Sequence, residues 1–353
     1  MAGALVSGPF GERAAGTRRR RRGGGRRETP MVPDVQFSSY YGRPVVKPPP
    51  WDEKIAAYLF FGGVAGGSAV LGAGAQLTGR AALRRNSRLA ALAATGLGAL
   101  ALIADLGRPE RFLNMLRIVK PTSPMNLGSW LLSAFGAGAA VAAGAEVDRL
   151  TGGRLPLGRL RPVLHAAAPA AGLEAAVLAP PLAVYTAVLL GDTAVPTWNA
   201  AHRDLPFVFA GSASLAAGGL AMITTPVDQA GPARRFALLG VIADLVASRV
   251  MERRMDPVTV EPLQQGRPGR QLRWAQRLVV AGGIGTALGG RYRPVAAASG
   301  LALLAGSALT RLGIFEAGIA SAKDPRYTVE PQKRRLDARR AAGVVDDAIT
   351  TVD

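Results

Sequence analysis

Residues 55–77 read IAAYLFFGGVAGGSAVLGAGAQL, 23 positions without a charge, and this stretch decides the fold class. About 20 apolar residues, rising about 1.5 Å each, cross the roughly 30 Å hydrocarbon layer of a bilayer. It is therefore read as a membrane-spanning helix. Within it, Gly62-Gly63-Val64-Ala65-Gly66-Gly67 places small residues four apart twice over. On a helix that spacing makes a flat strip for close backbone approach. A nucleotide-binding glycine loop is the competing reading, but such loops follow a strand and open a helix at a water-exposed edge.

Working outward, residues 89–106, 127–145, 163–190 and 205–225 meet the same criterion, with Asp105 and Glu174 as their only Asp, Glu, Lys or Arg. Residues 233–250 are interrupted by Asp244 and Arg249, and the uncharged runs 278–290 and 295–310 are short. The last two span if Arg277, Arg291, Arg293 and Arg311 extend their head groups to the interfaces. The expected fold is an all-α, polytopic membrane bundle of eight transmembrane helices at residues 51–312. A Gly-, Arg- and Pro-rich disordered tail is expected at 1–50, and a polar C-terminal tail at 313–353. Met31 opens a stretch of different character, which makes it a second candidate start.

Composition agrees with a membrane class: of 353 residues, 49% are hydrophobic and 19% charged, mean hydropathy is +0.18, and 44 are glycine. The chain has no cysteine and only two histidines, His165 and His202. That excludes iron–sulfur ligation and disulfides in this chain, and it offers no facing histidine pair for haem. The net charge of +19 resolves on inspection of where it lies. With eight helices, 31 of the 43 Lys and Arg fall on the side of the two termini and 12 on the other. By the positive-inside rule both termini are expected in the cytoplasm, and the basic total reflects contact with anionic membrane lipid rather than nucleic acid.

The most distinctive segment is DLGRPERFLNMLRIVKPTSPMNLGSW, residues 105–130, in which Pro121 and Pro124 stop one helix and begin the next. On spacing alone it is a basic connection with an interfacial Trp130. Charges at bilayer depth cost about 2.5 to 3.5 kcal/mol on insertion scales, which makes Glu174, Tyr185 and Asp244 candidates for function. Glu174 and Tyr185 lie eleven residues apart, on one helical face and about 16 Å from each other, a spacing suited to proton passage. Asp244 has Arg249 as a nearby cation in sequence.

Taken together, LGRPERF (106–112), KPTSPMNLGSW (120–130), YLFFGGVAGGSAVL in the first span, YTAVLLGDTAVPTWN (185–199), and RLGIFEAG followed by DPRYTV near the end resemble the NrfD family. That family supplies the membrane subunit of polysulfide reductase and related quinone-linked complexes. The resemblance runs from about Val35 to Val329. It implies an eight-helix subunit without a redox metal, which exchanges electrons between a quinone and a docked ferredoxin-like iron–sulfur subunit, with a molybdopterin oxidoreductase subunit behind it. The quinone, a menaquinone or ubiquinone, is held in relatives by a His and an Asn of the first helix and a Tyr of the fourth. The matching positions are Tyr58 for the His, Lys54 for the Asn and Tyr185 for the Tyr, of which only Tyr185 is an identity.

The expected function is that of a quinone-reactive subunit, with Lys54, Tyr58 and Tyr185 orienting the quinone oxygens and Asp105 or Glu174 moving protons. The rival readings are a secondary transporter or proton translocator, and an anchor that only recruits a soluble enzyme.

Overall fold

The computed structural model describes residues 44–343 except residue 107. Of the expected tails at 1–50 and 313–353, residues 1–43 and 344–353 lie outside the described residues. All regular structure is helical, in the order α1 (Glu53–Leu77), α2 (Ala81–Asp105), a 3-10 segment (Pro109–Leu116), α3 (Pro124–Leu150), α4 (Leu160–Gly191), α5 (Pro196–Ala200), α6 (Leu205–Thr224), α7 (Gly231–Arg254), α8 (Pro257–Gln264), α9 (Gly266–Gly289), α10 (Arg293–Lys323) and α11 (Arg326–Ala341).

Helix starts follow local chemistry. Asp52 and Ser123 cap α1 and α3 by accepting from Lys54 N and Asn126 N, and Asp256 caps α8 in the same way. Proline occupies the first turn of α3, α6, α7, α8 and α10, where its missing N–H costs nothing. Gly79, at φ +68°, turns the chain between α1 and α2.

Six helices, α1, α2, α3, α4, α6 and α10, are long and apolar enough to cross a membrane, so the chain is a multi-pass membrane protein. The expected spans at 233–250 and 278–290 fall in α7 and α9. Each of these is 24 residues long, but charges dilute its apolar content: Asp244, Arg249 and a basic end in α7, and four arginines in the first half of α9. Residues 295–310 qualify because α10 runs on to Lys323. The apolar turn holding Ile314, Phe315 and Ala317 is buried, so the helical domain extends beyond residue 312, and residues 326–341 form α11.

Because successive long helices alternate in direction, the ends of α1, α2, α3, α4, α6, α7, α9 and α10 sort into two faces. One, here the terminal face, carries the start of α1, the 3-10 segment, α5, α8 and α11. The other is the opposite face. Helix α1 is central, packing on α2, α4, α6 and α10. Its glycine strip makes this possible: a Cβ on Gly66 would stand 2.9 Å from Ala179 O of α4, and one on Gly67 2.8 Å from Ala213 O of α6.

Near the opposite face, an ion cluster ties α2, α3 and α4 together. Arg84 and Arg88 reach Glu146 at 2.8 and 2.9 Å, and Arg149 reaches it at 3.2 Å. Asp148 receives Arg161 at 3.1 Å and His165 at 2.8 Å. Both carboxylates are buried, so several arginines of this face are neutralised within the protein instead of facing lipid.

Candidate functional site

At the terminal face, the start of α1 and the end of α2 bring three charged groups together. Lys54 Nζ donates to Asp52 Oδ2 at 2.6 Å, and its backbone N–H donates to Asp52 Oδ1 at 2.7 Å. These hydrogen bonds, the side-chain one foremost, hold the Asp52 carboxyl below the usual carboxylate range. Asp105, the last residue of α2, interacts with both Asp52 and Lys54. One turn further into α1 lies Tyr58, 4% exposed. Its ring meets that of Tyr185 from α4 edge-on, with centroids 6.5 Å apart and planes at 64°. Lys54, Tyr58, Tyr185 and Asp105, distant in sequence, thus converge on one end of the bundle.

Two glycines admit these rings. A Cβ on Gly98 of α2 would touch the Tyr58 ring at 3.4 Å, and a Cβ on Gly128 of α3 would fall on the ring of Tyr185. Gly128 is set in place by the connection before it. The Asn126 side chain accepts from Lys120 N at 2.6 Å and donates to Ile118 O at 2.9 Å and Met115 O at 3.1 Å, while Trp130 Nε1 donates to Ile118 O at 3.3 Å. The segment 115–130 is therefore a clamp built on Asn126, and its tryptophan is bonded to the loop as well as placed at an interface.

Neither tyrosine hydroxyl has a hydrogen-bond partner among the described residues, and neither is a fully buried atom. A phenol in an apolar bundle normally finds one. Two uncommitted donors at a charged mouth suit a ligand with carbonyl or hydroxyl oxygens. Beside them, Phe61 also packs on Gly98 and opens an apolar groove of about 660 Å³ between α1, α2, α6 and α10.

Glu174 is not brought to this end. It lies on an exposed face of α4 with its carboxyl against Gly138 of α3. The intervening residues of that helix face, Leu178 and Leu182, offer no hydroxyl or carboxyl to carry a proton on to Tyr185. His165 and His202 stand at opposite ends of α4, one on Asp148 and the other with Nδ1 2.7 Å from Asn199 O.

Sequence reasoning missed two features. Arg311, expected to reach an interface, is fully buried inside α10, where Nη2 donates to Phe209 O at 2.7 Å and the guanidinium lies 3.7 Å over the Phe209 ring. Asp244 faces Arg311 and not Arg249, because positions 244 and 249 are about 140° apart around a helix. The second feature is a knot that explains two of the distant motifs. Trp198 of α5, fully buried, stacks on Trp51 at 5.9 Å and packs on Phe315 at 5.7 Å, and its Nε1 donates to Ile314 O at 2.8 Å. Gly318 leaves the space that the indole occupies. Aromatic content in VPTWN and glycine in IFEAG were the available signals.

A family model described as polysulphide reductase, NrfD, matches residues 45–242, more than half of the chain, from before α1 into α7. No curated protein shows significant similarity to the sequence.

Proposed function

Since the chain belongs to the NrfD polysulphide reductase family, we propose that it is the quinone-reactive membrane subunit of an oxidoreductase complex, exchanging electrons between the quinone pool and a partner iron–sulfur subunit. The observation that carries this reading is the Tyr58–Tyr185 pair with its unpaired hydroxyls beneath Asp52, Lys54 and Asp105. A quinone, menaquinone or ubiquinone, supplies two-electron, two-proton redox chemistry when bound. The tyrosine hydroxyls would donate to its oxygens, and Lys54 would place a cation at the mouth. Asp105 would exchange protons with water at the terminal face. Glu174 belongs to a separate position on α4 and would serve proton movement only from there. The apolar groove beginning at Phe61 suits an isoprenoid chain.

The absence of cysteine means that the iron–sulfur cluster belongs to another polypeptide. A ferredoxin-like partner would dock on the terminal face, where the clamped loop presents Ile118, Val119 and Trp130 among basic residues, with a molybdopterin subunit behind it. Two arguments support eight crossings in place of six: α7 and α9 are long enough at about 36 Å each, and they pack on α6 and α10, which are themselves candidate spans. Charge asymmetry supports cytoplasmic termini.

The test is quinone-coupled turnover of the purified complex. Reduction of an added quinone analogue that depends on this subunit, and weakens in Tyr58→Phe and Tyr185→Phe, supports the reading. Full turnover in the double variant would leave the chain as an anchor.

A further inference from the structure

The second half of the bundle holds a buried charge pair that the quinone reading does not use. Asp244 of α7 is 4% exposed and Arg311 of α10 is fully buried. Asp244 lies ten residues from Arg254, about 15 Å inside that end of α7. Helices α6 and α7 meet there backbone to backbone: a Cβ on Gly211 would stand 2.8 Å from Asp244 Cα, and one on Gly240 2.9 Å from Gly211 O. The carboxyl is therefore held in place by packing.

It is not, however, satisfied. Asp244 Oδ1 and the Arg311 atoms Nε and Nη1 have no hydrogen-bond partner among the described residues, and the two side chains form no ion pair. Breaking or separating such a pair at depth costs several kcal/mol, so a purely structural pair is expected to close into contact. Asp244 instead lines a cleft of about 380 Å³ between α7, α8, α9 and α10. Ser248, Arg249 and Glu252 of α7, Gln276 of α9 and Thr310 of α10 share that lining, which leads toward the terminal face, where α7 ends and α9 begins. The charge acting on the carboxyl is Arg311 from α10, and Arg249 and Glu252 from α7 itself line the same cleft. Helices α6, α8 and α9 contribute neutral residues: Gly211, Leu263, and Gln276 with Val280.

We propose that Asp244 is a proton-exchanging carboxyl inside the membrane domain, served from the terminal face through this cleft and paired electrostatically with the fixed charge of Arg311. A proton entering by the cleft binds Oδ1, the oxygen without a partner. Neutralising the carboxylate leaves Arg311 as the local charge, and release by the same route restores the pair. The site lies on the far side of α1 from Tyr58, since Gly63, which faces Arg311, is about 140° around the helix from position 58. The inference stands whether or not quinone binds at the tyrosines.

A water-soluble carbodiimide with an amine nucleophile tests it, because a carboxyl reachable from water is converted to the amide and one sealed inside the bundle is not. With the detergent-solubilised complex, mass spectrometry over a range of about pH 6 to 9 is expected to find amidation of Asp244. Asp244→Asn identifies the adduct by its loss. The chain has no cysteine of its own, so Ser248→Cys gives a single thiol in the cleft. Blocking it with a bulky thiol reagent is expected to lower Asp244 amidation several-fold while leaving exposed carboxylates unaffected. Absence of Asp244 amidation across the range in wild type, with Glu252 modified in the same sample, would overturn the proposal. Amidation indifferent to the blocked thiol would overturn the cleft as the route.

Discussion

Tyr185 is the residue on which the proposed quinone site rests most heavily, because its ring is located by Gly128 and Tyr58 while its hydroxyl is left free. Phe at this position keeps the ring contacts and removes one donor. Loss of a single hydrogen bond to a bound quinone oxygen is expected to weaken binding by about 0.5 to 1.5 kcal/mol, with a larger fall in turnover if the hydroxyl also passes protons. The measurement is turnover of Tyr185→Phe at limiting and saturating quinone, alongside the yield of assembled complex. Unchanged turnover would make the residue a packing element only. Gly128→Ala probes the same contact from the other side. An added methyl must displace the ring, and overpacking of this kind costs about 1 to 3 kcal/mol, so a lowered melting temperature and impaired quinone kinetics are expected together. If stability and kinetics both match wild type, the Tyr185 ring is not held where the packing indicates.

Among the elements, the connection from α2 to α3 shows how a loop can be as ordered as the helices that it joins. One side chain, Asn126, satisfies three backbone groups between Met115 and Lys120. Pro124 in the first turn of α3 then fixes the direction in which Gly128 approaches α4. Asn126→Ala removes those bonds at once and is expected to cost about 1 to 3 kcal/mol through unpaired backbone groups. Increased protease cleavage within 115–123, with α3 still inserted, is the outcome to look for, and cleavage equal to wild type would show that the loop holds without Asn126. Helix α4 illustrates the opposite case. Pro169, Pro180 and Pro181 lie inside it, on its exposed side, yet it continues for 32 residues, because the hydrocarbon around a membrane helix offers no water to compete for its remaining backbone bonds.

For the whole molecule, an even number of crossings, six or eight, would place the two ends on one side. Reporter tags at both termini are expected to read cytoplasmic, and a periplasmic signal from either end would overturn the orientation. The charge argument survives the one basic residue that it misplaced: Arg311 belongs inside the bundle and not to the terminal face, which changes the excess of basic residues by one. Ion pairs occur on both faces: Glu146 and Asp148 offset part of the charge of Arg84, Arg88, Arg149 and Arg161, while Asp52, Asp204 and Glu261 partner Lys54, Arg254 and Arg326 on the terminal face, so pairing does not create the asymmetry. Purified without partner chains, the protein is expected to show no haem absorbance and no stoichiometric iron, since it lacks cysteine and its two histidines stand at opposite ends of α4. Bound haem in such a preparation would contradict this expectation.

The sequence by itself determined the class of the fold, because 23 uncharged residues at 55–77 and four similar stretches leave no other way to satisfy apolar side chains and backbone polar groups together. It also determined the helix-packing role of the glycine strip, met in the structure by Gly63, Gly66 and Gly67, which depends only on local spacing, and the motif content that identifies the family. Helix limits near residue 312 and the membrane fitness of 295–310 were less legible. A hydropathy window sees charge along the chain and cannot see that Arg311 turns inward. Convergence of Lys54, Tyr58, Asp105 and Tyr185 at one mouth, the meeting of Trp198 with Gly318 and Phe315, and the choice of Arg311 over Arg249 for Asp244 were decided only by the tertiary structure. Each is a contact between helices far apart in sequence, and such contacts depend on how neighbouring helices rotate and approach, which the periodicity of any single helix leaves open.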